Sequence, residues 1–531
     1  MSRSDDTTRR EYHNGSLFGG PVRRAWCLTL AFHPDPRRIG AQCRIPLDTG
    51  ALNLGRSVPA FSDPQGDAAS GRARPVEDPC VSRQALTLVP QPDGWQLRRR
   101  RGSSRLRLEG QPVADSVRLS DQTLEQGVLL LLAGRVLIHL RLAPALDDAI
   151  LETPPVPGLL GVSDATRRLR RDILRVAQGD DDVLLLGPTG TGKDVAARAI
   201  HTLSSRAPKP FIAVNMGALV PQLAAAELFG ARRGAFTGAG DHRRGFFQQA
   251  AGGTLFLDEI GDTPPEVQPL LLRAVQSREV QVVGGAVERP DLRLLAATER
   301  DPDEPGSSFR AALRHRLAAQ ELRLKSLAER REDVGPLLAA SLHALSGDQG
   351  FPWDGGVPGD AQRWALCFEW LHRYQWPGNV RELQQWAAQI AAASRERCEI
   401  PELLQQRLAG LAAPEGAADA IRETDAVVPL RALSDEAFIA SWQRSDFEVA
   451  RMARTHGASR QAVYRRLREL EQCRLAGDVP LGELLAVLDE CRGDLRATAR
   501  RLAVSHSGLR TRLRASGVSL DTPSAESDTR A

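Results

Sequence analysis

Val183-Leu-Leu-Leu186-Gly187-Pro188-Thr189-Gly190-Thr191-Gly192-Lys193-Asp194-Val195-Ala-Ala197 reads as a strand, a glycine-rich turn and the start of a helix. The unbroken apolar run suits a strand covered on both faces. The glycines let the backbone turn tightly and aim successive N–H groups at phosphate oxygens. The helix that follows adds a favourable dipole for an anion, and Lys193 has the reach for β- and γ-phosphates. Background usage does not explain that lysine: of 70 Lys and Arg, only Lys193, Lys209 and Lys325 are lysine. The next residue is Asp194, where a common phosphate loop has a Ser or Thr on magnesium, so its role stays open.

Two further motifs follow in order. Thr254-Leu-Phe-Leu-Asp258-Glu259 reads as a buried strand ending in two carboxylates. Asp258 is placed to hold Mg²⁺, through water, and Glu259 to orient the water that attacks ATP. Between the two lies Gly234-Ala235-Phe236-Thr237-Gly238-Ala239. Its flanking glycines suit a flexible hairpin that presents one aromatic to a partner.

From Gly161 to about Leu383 the chain resembles the AAA+ domain of bacterial enhancer-binding proteins, the activators of sigma-54 RNA polymerase. The resemblance rests on the motifs above and on Glu227-Leu-Phe-Gly230, Phe309-Arg310, Arg316-Leu317 and Trp376-Pro-Gly-Asn-Val-Arg-Glu-Leu383. It implies an ATPase that works as a homo-oligomeric ring, a hexamer. It also implies that Gly234–Ala239 contact the sigma-54 holoenzyme and that Asn215 is a switch holding Glu259 until the γ-phosphate arrives. Arg310 and Arg316 match arginine fingers supplied across a subunit interface, and Arg381 matches a sensor on the helical lid. Thr298 falls in the family's Ala-Thr-Asn sensor, here Ala297-Thr298-Glu299, and Ala312 stands where the family has Asp. Both departures bear on the turnover rate.

With 531 residues, the chain is long enough for three or four domains, and its charged fraction of 26% is ordinary for globular proteins. A net charge of +4 requires any nucleic-acid footprint to be local. Seven scattered cysteines, with no CxxC pair, indicate neither a disulfide framework nor a zinc site. No apolar run approaches the length of a membrane span, and the first residues lack a signal-peptide core. The expectation is a reduced, cytoplasmic protein with no membrane partner.

The expected fold is multidomain: an N-terminal all-β sandwich, a central α/β P-loop AAA+ domain with a helical lid, and a C-terminal all-α helix-turn-helix region. The boundaries read as a disordered leader at 1–22, a sandwich at 23–145, a linker at 146–158, the ATPase subdomain at 159–330 and the lid at 331–410. A second linker at 411–432, two helical units at 433–472 and 473–518, and a disordered tail at 519–531 complete the chain.

The sandwich is read from short alternating stretches, such as Trp26, Leu28, Leu30 and Phe32 against Cys27, Thr29 and Ala31. It resembles a forkhead-associated domain at Leu54-Gly-Arg-Ser57, Val81-Ser-Arg83, Gly94-Trp-Gln-Leu97 and Leu108-Glu-Gly110. The resemblance implies a phosphothreonine protein held by Arg56 and Ser82, with Arg83 beside them. Arg105 is a substitute contact where the family's Asn-Gly pair is missing, and the family's His is Ala85. A sandwich kept only for protein contact is the alternative.

The C-terminal region repeats with an offset of 46 residues: Val449, Ala453, Ser459, Val463 and Leu467 align with Leu495, Ala499, Ser505, Leu509 and Leu513. Each unit reads as helix, tight turn, Ser N-cap and second helix, the spacing of a helix-turn-helix. Arg460 and Gln461 suit base edges at the start of the first recognition helix, and Arg465, Arg466 and Arg468 suit phosphates of double-stranded DNA upstream of promoters, with the capping Ser459 and Tyr464 counted in the same DNA-binding set. Arg510 and Arg512 are the equivalents in the second unit, which alternatively packs as a dimerisation pair. The functional expectation is an ATP-driven sigma-54 activator, gated by its N-terminal domain. A repressor with a decayed ATPase and a remodeller of some other protein are the competitors.

Overall fold

The computed structural model describes residues 23–516 apart from 48–49, 64–72, 235–242, 300–315, 318, 347–359, 395–397, 410–429, 431–432, 446, 457, 459, 471–472 and 492. Ala235, Phe236, Thr237, Gly238, Ala239, Arg310 and Ser459 therefore lie outside the described residues, as does Ala312.

The centre is a five-stranded sheet in the order Phe211–Asn215, Thr254–Asp258, Arg293–Thr298, Val183–Leu186, Gln320–Arg323. All four pairings are parallel. Parallel strands need crossovers, and the crossover helices cover both faces, so Val183–Leu186 is buried along its length. The helix Lys193–Thr202 follows the central strand directly, which places the glycine turn at the carboxyl end of the sheet. The lid is helical: Val334–Ser346, Asp360–Arg373, Asn379–Ala393 and Glu402–Ala409.

Residues 23–145 form two antiparallel sheets over a shared core. One has the order Gln42–Pro46, Arg24–Phe32, Val136–Pro144, Val128–Leu132, Leu106–Leu108, Gln111–Pro112; the other has Leu52–Leu54, Leu86–Gln91, Gly94–Arg99, Ser116–Leu119. Trp26, Leu28 and Leu30 face that core, where Trp26 meets Trp95 edge-on at 4.6 Å. The expected alternation of buried and exposed positions gives way to burial on both faces. In Arg24–Phe32 every residue after Arg24 is buried, and Val128–Leu132 is buried throughout. Ala31, Phe32, Leu129, Leu131 and Leu137 turn outward into a second core, which they share with lid residues such as Leu338, Trp364, Phe368 and Leu371. Phe32 and Phe368 lie 4.8 Å apart, ring centre to ring centre. At Gly335 a Cβ would sit 2.3 Å from the Ala31 carbonyl oxygen, so only glycine lets the lid helix come this close.

This seam holds two fully buried histidines. Among the described residues neither ring nitrogen of His139 has a hydrogen-bond partner, while His372 Nδ1 bonds the Phe368 carbonyl. Burial pushes the His372 pKa down from 6.5 to about 3 and that of His139 well below its usual value, with the Arg331 charge adding to both. The unfolded chain therefore takes up protons first. The contribution of these neutral rings is complete above pH 6.5 and is lost as pH falls toward about 3. Glu369, raised by burial beside Arg107 and Arg373, titrates in the opposite sense, its contribution being lost as pH rises.

The C-terminal region consists of two three-helix units with separate cores. The first is Asp435–Arg444, Val449–Thr455 and Arg460–Glu469; the second is Leu481–Glu490, Leu495–Arg501 and His506–Ala515. The repeat aligns Val449, Ala453, Val463 and Leu467 in one core with Leu495, Ala499, Leu509 and Leu513 in the other. The sequence reading has two helices per unit; each also has a preceding helix, which Phe438 and Trp442 anchor in the first unit and Leu484 in the second.

Denaturant unfolding of the full chain at pH 7 and pH 5 checks the histidine seam. Acid is expected to cost about 2 kcal/mol through His372 alone. His139→Leu, which replaces an unpartnered buried ring, should be no less stable at pH 7 and should lose less than the parent at pH 5.

Candidate active site

The glycine turn is shaped by contacts that leave no room for a side chain. A Cβ on Gly190, where φ is +71°, would lie 2.2 Å from the Gly378 carbonyl oxygen of the lid. Gly192, at φ +101°, ends the turn and begins the helix Lys193–Thr202 without a side-chain cap. The first N–H groups of that helix are thus left to an incoming anion. Within the turn, Thr191 Oγ1 donates to the Pro188 carbonyl at 2.8 Å. Lys193 is buried, and its Nζ donates to the carbonyls of Gly187 at 2.8 Å and Pro188 at 3.2 Å. Burial lowers the Lys193 pKa, while the charges of Asp258, Glu299 and Glu259 work to raise it.

The two carboxylates stand at the end of the neighbouring strand. The Asp258 pKa is raised by burial and by the charges of Glu259 and Asp194, against the backbone N–H of Glu259 and the Lys193 charge. Glu259 sits in the left-handed region at φ 53°, which turns its side chain away from the strand direction. Its Oε2 accepts from Asn215 Nδ2 at 3.1 Å. Asn215 Oδ1 in turn accepts from the N–H groups of Gly217 at 2.9 Å and Ala218 at 3.2 Å. Thr298 is buried at the end of its strand, in register with Leu186. A cleft of about 250 Å³ opens beside these groups, lined by Asp194, Arg198, Asn215 and Asp258 among others. Among the described residues no three His, Cys, Asp or Glu converge as a metal site of their own. One or two carboxylates plus phosphate oxygens are the usual ligands of Mg²⁺ at a nucleotide.

Arg381 lies against the turn: its backbone N–H donates to the Gly190 carbonyl at 3.3 Å, beside Val380 N–H at 2.9 Å. Its side chain is exposed, as is that of Arg316. Gly234 is exposed in a turn, and Ala231 and Arg243 bond each other's backbones at 2.9 Å, bracketing the segment between them.

Sequence reasoning misses two groups that hold the turn. Asn379, in the left-handed region at φ 52°, donates from Nδ2 to the Thr189 carbonyl at 2.9 Å and accepts from Leu327 N–H at 2.7 Å. Its signal is present in Trp376–Leu383, where an Asn follows Pro-Gly at a helix start. Arg330, also buried, donates to the Thr191 carbonyl at 3.1 Å. Nothing in the charge run Glu329-Arg-Arg-Glu-Asp333 tells that member from a solvated one.

At the far ends of the chain the predicted residues gather less evenly. Arg56 N–H donates to the Ser82 carbonyl at 2.8 Å, and Ser82 Oγ accepts from Ser104 N–H at 2.7 Å. Arg83 lies against Gly55, where a Cβ would meet its carbonyl oxygen at 2.5 Å, and Arg105 follows Ser104, so the four residues share one loop cluster. Arg460, Gln461, Arg465 and Arg510 are exposed, and Tyr464 is partly buried. Arg466 instead pairs with Asp435 at 2.6 Å and Glu469 at 3.4 Å, and Arg512 donates to the Val479 carbonyl at 3.1 Å.

Residues 159–323 match the family described as the sigma-54 interaction domain, and residues 328–420 match an AAA+ ATPase lid domain. Over 344 residues the chain is 38% identical to the transcriptional regulatory protein ZraR of Klebsiella oxytoca, covering 64% of this chain and 74% of that protein. The chain belongs to the sigma-54-dependent transcriptional regulators. It is 37% identical over 362 residues to the DNA-binding transcriptional regulator NtrC of Azospirillum brasilense, covering 67% of this chain and 69% of that one. A crystal structure of NtrX from Brucella abortus in complex with ADP is similar at 28% identity and a TM-score of 0.40, over 68% of this chain and 70% of that chain. As in its family, the central domain is an ATPase.

Asn379→Ala should weaken ATP binding about tenfold, because the Thr189 carbonyl loses its donor and the buried Leu327 N–H its acceptor. Titration with a fluorescent ATP analogue measures this; unchanged affinity would show that the turn holds its shape without the lid.

Proposed function

We propose that this regulator couples ATP hydrolysis to remodelling of sigma-54 RNA polymerase at promoters. The observation that carries the reading is the hydrogen bond from Asn215 to Glu259. It joins the carboxylate that would orient water to a residue whose other side-chain atom holds the turn at Gly217 and Ala218. That turn leads into the helix Pro221–Phe229, which runs directly to Ala231 and the bracketed Gly234–Ala239 segment. A γ-phosphate that draws Glu259 away would release Asn215, and the helix would carry the shift to the segment meant for sigma-54.

In this reading Gly187–Lys193 cradle the phosphates and Lys193 leaves its carbonyl partners for phosphate oxygens. Asp258 holds Mg²⁺, for which a half-buried carboxylate near Asp194 and Glu259 is suitable chemistry, and the ion would relieve their mutual repulsion. Asp194 lines the cleft and contributes through water; Thr298 and Arg381 report on the γ-phosphate side. Arg310 and Arg316 act from a neighbouring subunit, which makes the working form a ring, a hexamer. The exposed Arg460, Gln461, Arg465 and Arg510 dock the C-terminal units on upstream DNA, whereas Arg466 and Arg512 serve their own units first. The Arg56, Ser82, Arg83 and Arg105 cluster receives a phosphothreonine protein that sets the activity of the ATPase.

Thr237→Ala is expected to keep ATP turnover within about twofold of the parent while abolishing activation from a sigma-54 promoter in a reconstituted transcription assay. Loss of both activities together would place Thr237 in the nucleotide machinery, and normal activation would point to a different partner surface. Glu259→Gln should bind ATP without hydrolysing it, and so should Arg310→Ala. Mixing the two variants should restore part of the turnover through mixed interfaces; no recovery at any ratio would exclude a finger acting between subunits.

A further inference from the structure

We propose that Arg141 of the N-terminal sandwich is a positioning residue for the ATP site, acting through the buried charges at the base of the lid. Arg141 leaves the strand Val136–Pro144 and crosses to the ATPase, where its Nη2 lies 2.9 Å from Asp164 Oδ2 and its Nε 2.7 Å from Glu332 Oε1. Arg44, on the strand Gln42–Pro46 one strand further along the same sheet, pairs with the other oxygen of Asp164. Asp164 is the first residue of the helix Asp164–Ala177, and Ser163 caps it.

Beside Glu332, Asp333 is fully buried and saturated. It accepts from Val162 N–H at 2.5 Å, Ser163 N–H at 2.7 Å, Ser163 Oγ at 2.8 Å and Thr166 Oγ1 at 2.6 Å. Arg330 completes the path. Its Nη1 lies 3.6 Å from Asp333 Oδ2 and donates to Thr166 Oγ1 at 3.3 Å, while its Nη2 donates to the Thr191 carbonyl in the phosphate turn at 3.1 Å.

The charge balance of this cluster explains the role. Asp164, Glu332 and Asp333 are answered by Arg330, with the charges of Arg167 and Arg170 nearby, from the ATPase and by Arg44 and Arg141 from the sandwich. Removing Arg141 leaves Glu332 buried without its cation, and Arg330, on the same segment and already paired with Asp333, is drawn toward it. A buried carboxylate without a partner is costly enough to rearrange its neighbours. An Arg330 pulled toward Glu332 gives up the Thr191 carbonyl, and the N–H cradle loosens. The effect falls on phosphate binding in the ground state, so KM should move and kcat should not.

The test uses the full chain with Arg141→Ala, Arg141→Lys, Arg330→Gln, the Arg141→Ala/Arg330→Gln double variant, and Arg107→Ala. Arg107 pairs the sandwich with buried Glu369 at 3.4 Å on the lid but has no link to the phosphate turn. A fluorescent ATP analogue gives Kd, steady-state turnover gives KM and kcat, and thermal melting reports folding. Arg141→Ala and Arg330→Gln should each weaken ATP binding and raise KM about tenfold with kcat within twofold. The double variant should be no weaker than the weaker single, and Arg141→Lys should recover part of the affinity. Arg107→Ala should lower the melting temperature yet bind ATP like the parent. Parental affinity in Arg141→Ala, additive losses in the double variant, or an equal loss in Arg107→Ala would each overturn the proposal, the last by showing that docking alone matters.

Discussion

An antiparallel sheet with two apolar faces has to be covered twice. Residues 24–32 and 128–144 place Trp26, Leu28 and Leu30 on one side and Ala31, Phe32, Leu129, Leu131 and Leu137 on the other. The first side is closed by the smaller sheet of the sandwich, the second, among the described residues, chiefly by the lid. Because the lid also holds the phosphate turn, through Asn379, Gly378 and the N–H groups of Val380 and Arg381, the burial requirement of one domain fixes the geometry of another. The usual expectation for a domain joined by a linker is a polar, separable contact. Here the contact has the composition of an interior.

The seam explains why charged groups are buried where a surface would otherwise be. Glu369 is fully buried and answered by Arg107, and Arg331 reaches both the His372 carbonyl and Glu109 of the sandwich. These pairs contribute alignment more than net stability, because Glu369 has given up its hydration while its partly exposed neighbours are screened by solvent. The apolar layer holds the domains together, and the ion pairs select one register among the many that an apolar face would accept.

The nucleotide site was legible in the sequence because its chemistry is local. A strand, three glycines, a lysine and two carboxylates occupy short stretches whose spacing the backbone dictates, and the structure brings Lys193, Asp258, Glu259 and Asn215 to one end of one sheet. The strands of the sandwich were legible too, but not their second face. Alternation in Trp26–Phe32 puts Phe32 on the side of Trp26, but a register shift between Leu30 and Phe32 turns it to the side of Ala31, and a small residue such as Ala31 does not announce that its face needs cover. Arg330, Glu332 and Asp333 were illegible for a related reason: a run of charges reads as solvated until the partners arrive from residues 44, 141 and 163–166. In the C-terminal units the 46-residue repeat marks the paired helices. The helix ahead of each keeps the same offset, with Phe438 matching Leu484 and Trp442 matching Leu488, but aromatic against aliphatic hides the match until the packing is seen.

The two-sided sheet also has a consequence during synthesis. The strand ending at Pro144 leaves the ribosome well before the helix that begins at Asp360, with residues 145–359 still to be made. At ~5–20 residues per second the outer face waits on the order of ten seconds or more for its cover. Throughout that interval the nascent sandwich shows water a layer of Phe, Leu and Ala on exposed strands, the kind of surface that holdase chaperones bind and that neighbouring chains on one message can pair with. Slower translation through the ATPase lengthens that exposure.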